Sequence, residues 1–154
     1  MKAKALLLSA AIAVAVGACA TATSPTGRKQ IVGGVSEAQL AQLGEQAFAQ
    51  AKQQKPQSRD SRQTAYVRCV VTSVVRQLPA DWQQLGWDVA LFEDPESNAF
   101  ALPGGKVGVN TGIFKVARNQ DQLAGVIAHE IGHVVSRHHD ERITRQMGAS
   151  GALQ

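Results

Sequence analysis

Leu40, Leu43, Ala47, Phe48 and Ala51 recur at three- and four-residue steps, the spacing that places side chains on one face of an α-helix. Ser36, followed three residues later by Gln39, has the form of a capping box, so this helix is expected to open at Ser36 and to end before Pro56. A second helical run extends from about Asp60 to Leu78, where Tyr66, Val67, Val70, Val71, Val74 and Leu78 share a face and Pro79 marks the exit. The period then shortens to two. Trp87, Val89 and Leu91 alternate with Asp88, Ala90 and Phe92, which predicts a strand. Two further strand-like runs, Asn98 to Leu102 and Lys106 to Asn110, flank Pro103-Gly104-Gly105. Proline fixes one turn dihedral there and glycine supplies a positive one, so the two runs should close as a β-hairpin. Asn119 or Asp121 can cap a last long helix that carries Leu123, Val126, Ile127, Ile131, Val134 and Val135. No internal repeat is visible. Helices, a hairpin sheet and a further helix make an α+β order rather than a doubly wound one.

The chain has 154 residues with 44% hydrophobic content, enough for one domain with one core. Its first residues change the picture of what is folded. Lys2 and Lys4 precede an apolar run from Ala5 to Val16 that is broken only by Ser9 and is too short to span a bilayer. Val16-Gly17-Ala18-Cys19 then resembles the lipobox of bacterial lipoproteins. Residues 1–18 are therefore expected to be a signal peptide, Cys19 the lipidated residue, and residues 19–35, rich in Thr, Ser, Gly and Pro, a lipid-anchored flexible tether. Residues 36–154 are the expected domain. The implied location is the bacterial cell envelope, anchored to a membrane and facing the periplasm, with Ala20 rather than Asp after the cysteine favouring the outer membrane.

Without Lys2 and Lys4 the chain carries 14 basic against 12 acidic residues, and aromatics make up 5%, so no nucleic-acid surface is expected. Cys69 falls with Arg68, Thr72 and Arg76 off the apolar face of its helix. It is read either as a thiol packed under a neighbouring segment or as one paired with a partner outside the chain.

His129-Glu130-Ile131-Gly132-His133 places an H-E-x-x-H pattern in the last helix. Residues four apart stand one above the other, with Cβ atoms about 5–6 Å apart, so two imidazoles can converge on one ion at about 2.0–2.1 Å. Glu130 occupies the adjacent sector, where it reaches a water on that ion without ligating it. The chemistry that follows is hydrolysis: the metal lowers the pKa of its water toward about 7, and Glu130 takes the proton and passes it to the leaving amine. Gly125 and Gly132 lie together on the far side, where a second element is expected to approach the backbone.

Three blocks carry a family resemblance: Asn98-Ala99-Phe100-Ala101-Leu102-Pro103-Gly104-Gly105, then Val109-Asn110-Thr111-Gly112-Ile113, then His129-Glu130-Ile131-Gly132-His133-Val134-Val135-Ser136-Arg137-His138. In order and spacing the chain resembles the M48 metallopeptidases, in particular their periplasmic, lipoprotein-type members of the Oma1 and BepA or LoiP group. The resemblance implies the N-terminal portion of a zincin-like metalloprotease, with helices packed on a small hairpin sheet. It also implies one Zn2+ per chain on His129 and His133, Glu130 as base, and Asn98, Ala99, Phe100, Ala101 and Leu102 as a strand that binds protein or peptide substrates, misfolded or envelope proteins among them. In such a strand the backbone would hold an extended peptide, and Phe100 and Leu102 would shape selectivity. The family's third ligand is a glutamate on a helix further downstream, and the expectation is that the chain is truncated before it.

If the last helix continues past His133, His138 lies about 7.5 Å along the axis and about 140° around it, out of reach of the same ion. Glu93 and Glu96 are the remaining alternatives. A chain lacking the third ligand admits a rival reading, a lipid-tethered, non-catalytic module that captures extended polypeptide at its hairpin edge.

Overall fold

The structure is a computed structural model that describes residues 20–151. The expectations of a signal peptide over residues 1–18 and of lipidation at Cys19 fall on residues outside the described ones. Lys29 to Val32 alternate exposed and buried positions, the pattern of a strand covered on one face. They form β2 (Lys29–Val32), paired antiparallel with β1 (Ala20–Thr23). The flexible tether expected over residues 19–35 is thus corrected: most of it is a folded hairpin. Its inward residue Gln30 is polar, so no apolar alternation announces it.

Ser36 and Gln39 make the reciprocal capping bonds expected of them, opening α1 (Glu37–Gln54). Asp60 caps α2 (Ser61–Val75) by accepting from the backbone N–H groups of Arg62 and Gln63. One helical turn, α3 (Ala80–Gln83), follows Pro79. The sheet consists of β3 (Asp88–Phe92), β4 (Ala99–Leu102) and β5 (Lys106–Asn110) in the order β3-β5-β4. β4 and β5 are the predicted hairpin, with both Gly104 (φ 79°) and Gly105 (φ 74°) in the left-handed region at its turn. β3 runs parallel to β5, so β5 is the central strand. A 3-10 turn over Thr111–Lys115 leads to α4 (Gln120–Val135), and α5 (His138–Gly151) follows a break.

The sheet is covered on both faces, which is why β3 reads as an almost unbroken apolar run. Leu91, Ala99, Ala101, Val107 and Val109 face one core with Val67 and Val71 of α2 and Leu123, Ile127, Ile131 and Val134 of α4. Ala90, Phe92, Phe100 and Leu102 face the other way, toward Phe48 of α1. Phe92 and Phe100 stack with centroids 6.2 Å apart, and Phe48 meets both edge-on at 6.5 Å. Cys69 is an exposed free thiol, so the expected packing under a neighbour is corrected as well. It sits on the face of α2 turned away from the sheet. No described helix is long and apolar enough to cross a membrane.

The hairpin of β1 and β2 docks on the first turn of α5 through buried charge. Arg28 donates to both carboxylate oxygens of Glu141, one at 2.9 Å, and Arg145 donates to Glu141 at 2.8 Å. Asp140, fully buried, accepts from Gly33 N, Thr144 Oγ1 and Arg137. Gln30 Nε2 donates to the Ser136 carbonyl at 2.8 Å. Each buried carboxylate is therefore paired and hydrogen-bonded, the condition under which its burial is tolerated.

The expected close approach at Gly125 and Gly132 is not found: a Cβ at either would meet nothing within 4 Å among the described residues. The close approach lies at Gly44 of α1 instead, where a Cβ would fall 2.0 Å from the Pro103 carbonyl oxygen. Gly44→Ala should push α1 off the hairpin turn and cost about 1–3 kcal/mol. Gly125→Ala should gain about 0.8–1.0 kcal/mol from helix propensity alone. Urea denaturation midpoints of the two variants should move in opposite directions, and a shift of the same sign would contradict this packing.

Glu141 supplies a pH test. Hydrogen bonding from Arg28, and then from Arg145, outweighs burial and lowers its pKa from 4.5 to about 2. A carboxyl depressed in the folded state stabilises fully above its unfolded pKa, and this contribution is lost as pH falls from about 4.5 toward about 2. The carboxyl carbon resonance of Glu141 should accordingly titrate with a midpoint near 2. An ordinary midpoint near 4.5 would mean that the hairpin is not held by this pair.

Candidate metal centre

Asn119 rather than Asp121 caps α4, accepting from Gln122 N at 2.9 Å. Leu123, Ile127, Ile131 and Val134 then point into the core, and the rest of the helix is oriented by them. His129 is exposed, while Glu130 and His133 are half-buried at the edge of the apolar sector. The two imidazoles cross nearly perpendicular, with centroids 4.7 Å apart, and their Nε2 atoms are 3.2 Å apart.

That separation tests whether a metal fits. Two bonds of about 2.0–2.1 Å from these nitrogens to one point would subtend about 100–105°, close to a tetrahedral angle. The donor set is that of a zinc-type site. Among the described residues no group of three His, Cys, Asp or Glu side chains completes it. Glu93 and Glu96 are exposed in the loop between β3 and β4 and do not join the histidines.

The expectation for His138 is corrected, because α4 does not continue. It stops at Val135, and Arg137 takes a positive φ of 55° that turns the chain before α5 begins. The turn brings His138 Nδ1 to 2.7 Å from His133 Nδ1. His139, next in sequence, is half-buried, and burial holds its pKa below the usual histidine value. Sequence reasoning missed both placements. The available signal was Asp140-Glu141, an acidic pair of the kind favoured in the first turn of a helix, which marks a new start after residue 137.

The residues expected to bind substrate form β4, which lies against α4. Asn98 is exposed, Ala99 and Ala101 are buried in the core beneath α4, and Phe100 and Leu102 pack around Phe48 and Phe92. Phe100 and Leu102 are therefore committed to the core on the α1 side. Asn110 N donates to the Asn98 carbonyl, which makes 98 with 110, and hence 100 with 108, the hydrogen-bonded pairs of this ladder. The backbone groups of Ala99 and Ala101 consequently face away from β5, along the outer edge of the sheet. β3, at the opposite edge, is covered by residues 56–58 through Ser58 N on the Leu91 carbonyl and Glu93 N on the Pro56 carbonyl.

Paired histidines and a glutamate thus lie on one helix that packs against the outer strand of a small mixed sheet. Residues 61–153 match the family model described as Peptidase family M48, and the chain belongs to that family. It is 41% identical over 80 residues to the mitochondrial metalloendopeptidase OMA1 of Schizosaccharomyces pombe, covering 52% of this chain and 23% of that protein. It is 32% identical over 114 residues to the Arabidopsis thaliana protein of the same name, covering 74% and 24%. To the beta-barrel assembly-enhancing protease of Escherichia coli it is 33% identical over 104 residues, covering 68% and 21%. The chain thus spans about a quarter or less of the length of these relatives. The expected location in a bacterial envelope, lipid-anchored and facing the periplasm, is overturned by the relatives named as mitochondrial OMA1 proteins and is withdrawn.

If the paired Nε2 atoms are the ligand atoms, either His129→Ala or His133→Ala removes half of the donor pair. Calorimetric titration with a divalent transition metal should then lose its saturable binding in both variants. Unchanged binding in either would exclude that histidine from the site.

Proposed function

We propose that this chain carries the metal-binding and substrate-docking part of a zinc-dependent metalloendopeptidase, with one Zn2+ per chain held by His129 and His133 and with Glu130 as the base. The observation that carries the reading is the 3.2 Å approach of the two Nε2 atoms on a helix that packs beneath the outer strand of the sheet. The domain is taken as residues 36–154, with the hairpin of residues 20–32 docked on it.

Zinc would supply Lewis acidity, polarising both a water and the scissile carbonyl. The protein's own residues do the rest. Glu130, one position beyond His129, stands in the neighbouring sector of α4 and is half-buried, so its carboxylate can take the proton of the attacking water and return it to the leaving nitrogen. An extended peptide would lie along the outer edge of β4, using the outward N–H and C=O groups of Ala99 and the N–H of Ala101.

Because Phe100 and Leu102 are spent on packing, recognition on this strand would fall to backbone, which every extended polypeptide offers equally. That suits protein substrates in unfolded or misfolded form more than one sequence motif. The names of the bacterial and mitochondrial relatives, a beta-barrel assembly-enhancing protease and metalloendopeptidases, are compatible with this class of substrate.

Glu130→Gln tests the assignment, since it preserves size while removing the basic group. In an enzyme that also supplies the third ligand, zinc content should be retained and cleavage of an unfolded protein substrate should fall by about 10²- to 10⁴-fold. Full cleavage by this variant, measured beside bound zinc, would defeat Glu130 as the base.

A further inference from the structure

Neutral imidazole carries one proton on one of two nitrogens, and the nitrogen without it is the one that can bind a metal. Which nitrogen that is depends on the partner of the other. His133 directs Nε2 at His129 and Nδ1 at His138, the latter at 2.7 Å, so its two nitrogens are divided between the paired histidine and the histidine beyond the break. We infer that His138 is a positioning residue whose Nδ1 accepts the Nδ1–H of His133 and so fixes the tautomer that presents the Nε2 lone pair to the metal. This rests on the proposal that His133 is a ligand.

His138 is not a third ligand here, because it meets His133 on the ring nitrogen opposite the one that faces His129. Its own proton then belongs on Nε2.

The backbone supports a built arrangement. Left-handed φ in a residue with a side chain costs on the order of 1–2 kcal/mol and persists only where surroundings enforce it. Arg137, which adopts it, is held by Asp140 at 2.7 Å and Glu37 at 2.8 Å, and Gln30 holds the preceding carbonyl of Ser136. Three separate elements thus fix the turn that delivers His138. A continuous helix would carry it to the wrong side of α4.

The test uses the full chain in two measurements. Nitrogen-15 NMR of the imidazole rings in the metal-free protein should show His133 as the Nδ1–H tautomer and His138 as the Nε2–H tautomer. Zinc titration should show His138→Ala binding about 10- to 100-fold more weakly than the parent. His138→Asn, which returns an acceptor oxygen to that place, should recover most of the loss, while the thermal midpoints of the metal-free proteins stay close together. A His133 protonated on Nε2 in the parent protein, or His138→Ala binding zinc as tightly as the parent, would overturn the inference. Failure of the parent to bind zinc would instead show that His129 and His133 alone do not hold the ion, and the tautomer spectrum, which needs no variant, would still decide the role of His138.

Discussion

The burial of one sector of α4 against the sheet is the constraint from which the site follows. Leu123, Ile127, Ile131 and Val134 lie at 0 to 5% exposure, and each side chain of this size contributes about 1.5–3 kcal/mol when fully buried. With that sector pinned, the 3.6-residue period leaves no choice of where His129, Glu130 and His133 fall: along the margin of the core. The histidine pair is aligned by the packing of their neighbours. A substitution in the core would thus reach the site through a rotation of α4, without any contact to the imidazoles.

The second half of the geometry comes from charge. Asp140 and Glu141 open α5 with carboxylates that are almost wholly removed from water, and burying them unpaired would cost far more than a small domain can sustain. Arg28, Gln30 and Gly33, on or next to the N-terminal hairpin, supply half of the donor residues, and Arg137, Thr144 and Arg145 supply the rest. Hairpin and break therefore depend on each other. Without the hairpin the carboxylates lose half of their donor residues, and without the break the carboxylates do not face the hairpin.

This division explains what could be read from the sequence. The elements built by apolar periodicity were legible: the capped start of α1, the extent of α2, the hairpin with its two glycines, and α4 with its motif. So was the α+β order, and the family followed from the motif blocks. The elements held by polar contacts were not. β1 and β2 carry Gln30 inward, and its partners are more than a hundred residues away, so local composition suggested a linker. The break at Arg137 is imposed by tertiary contacts on a residue type with no preference for it, and the acidic pair Asp140-Glu141 beyond it is the one local mark of a new start. Gly125 and Gly132 misled for the converse reason: small residues on a helix permit a close neighbour without requiring one.

The outer edge of β4, the docking edge of the proposed function, also carries a hazard. An unpaired strand edge presents donors and acceptors that another copy could pair with, and proteins blunt such edges by keeping them short or covering them. Here the strand is four residues long, and only the backbone groups of Ala99 and Ala101 face outward. What remains open is a stretch of about one repeat of an antiparallel ladder, too little to template extended pairing with another copy. An extended chain held there needs a further source of affinity. Under the proposed function, the adjacent α4, with its histidines at the margin of the same core, is the neighbouring element that would supply it. The same short edge that limits unwanted pairing would thus make the proposed binding at β4 depend on engagement of the helix beside it.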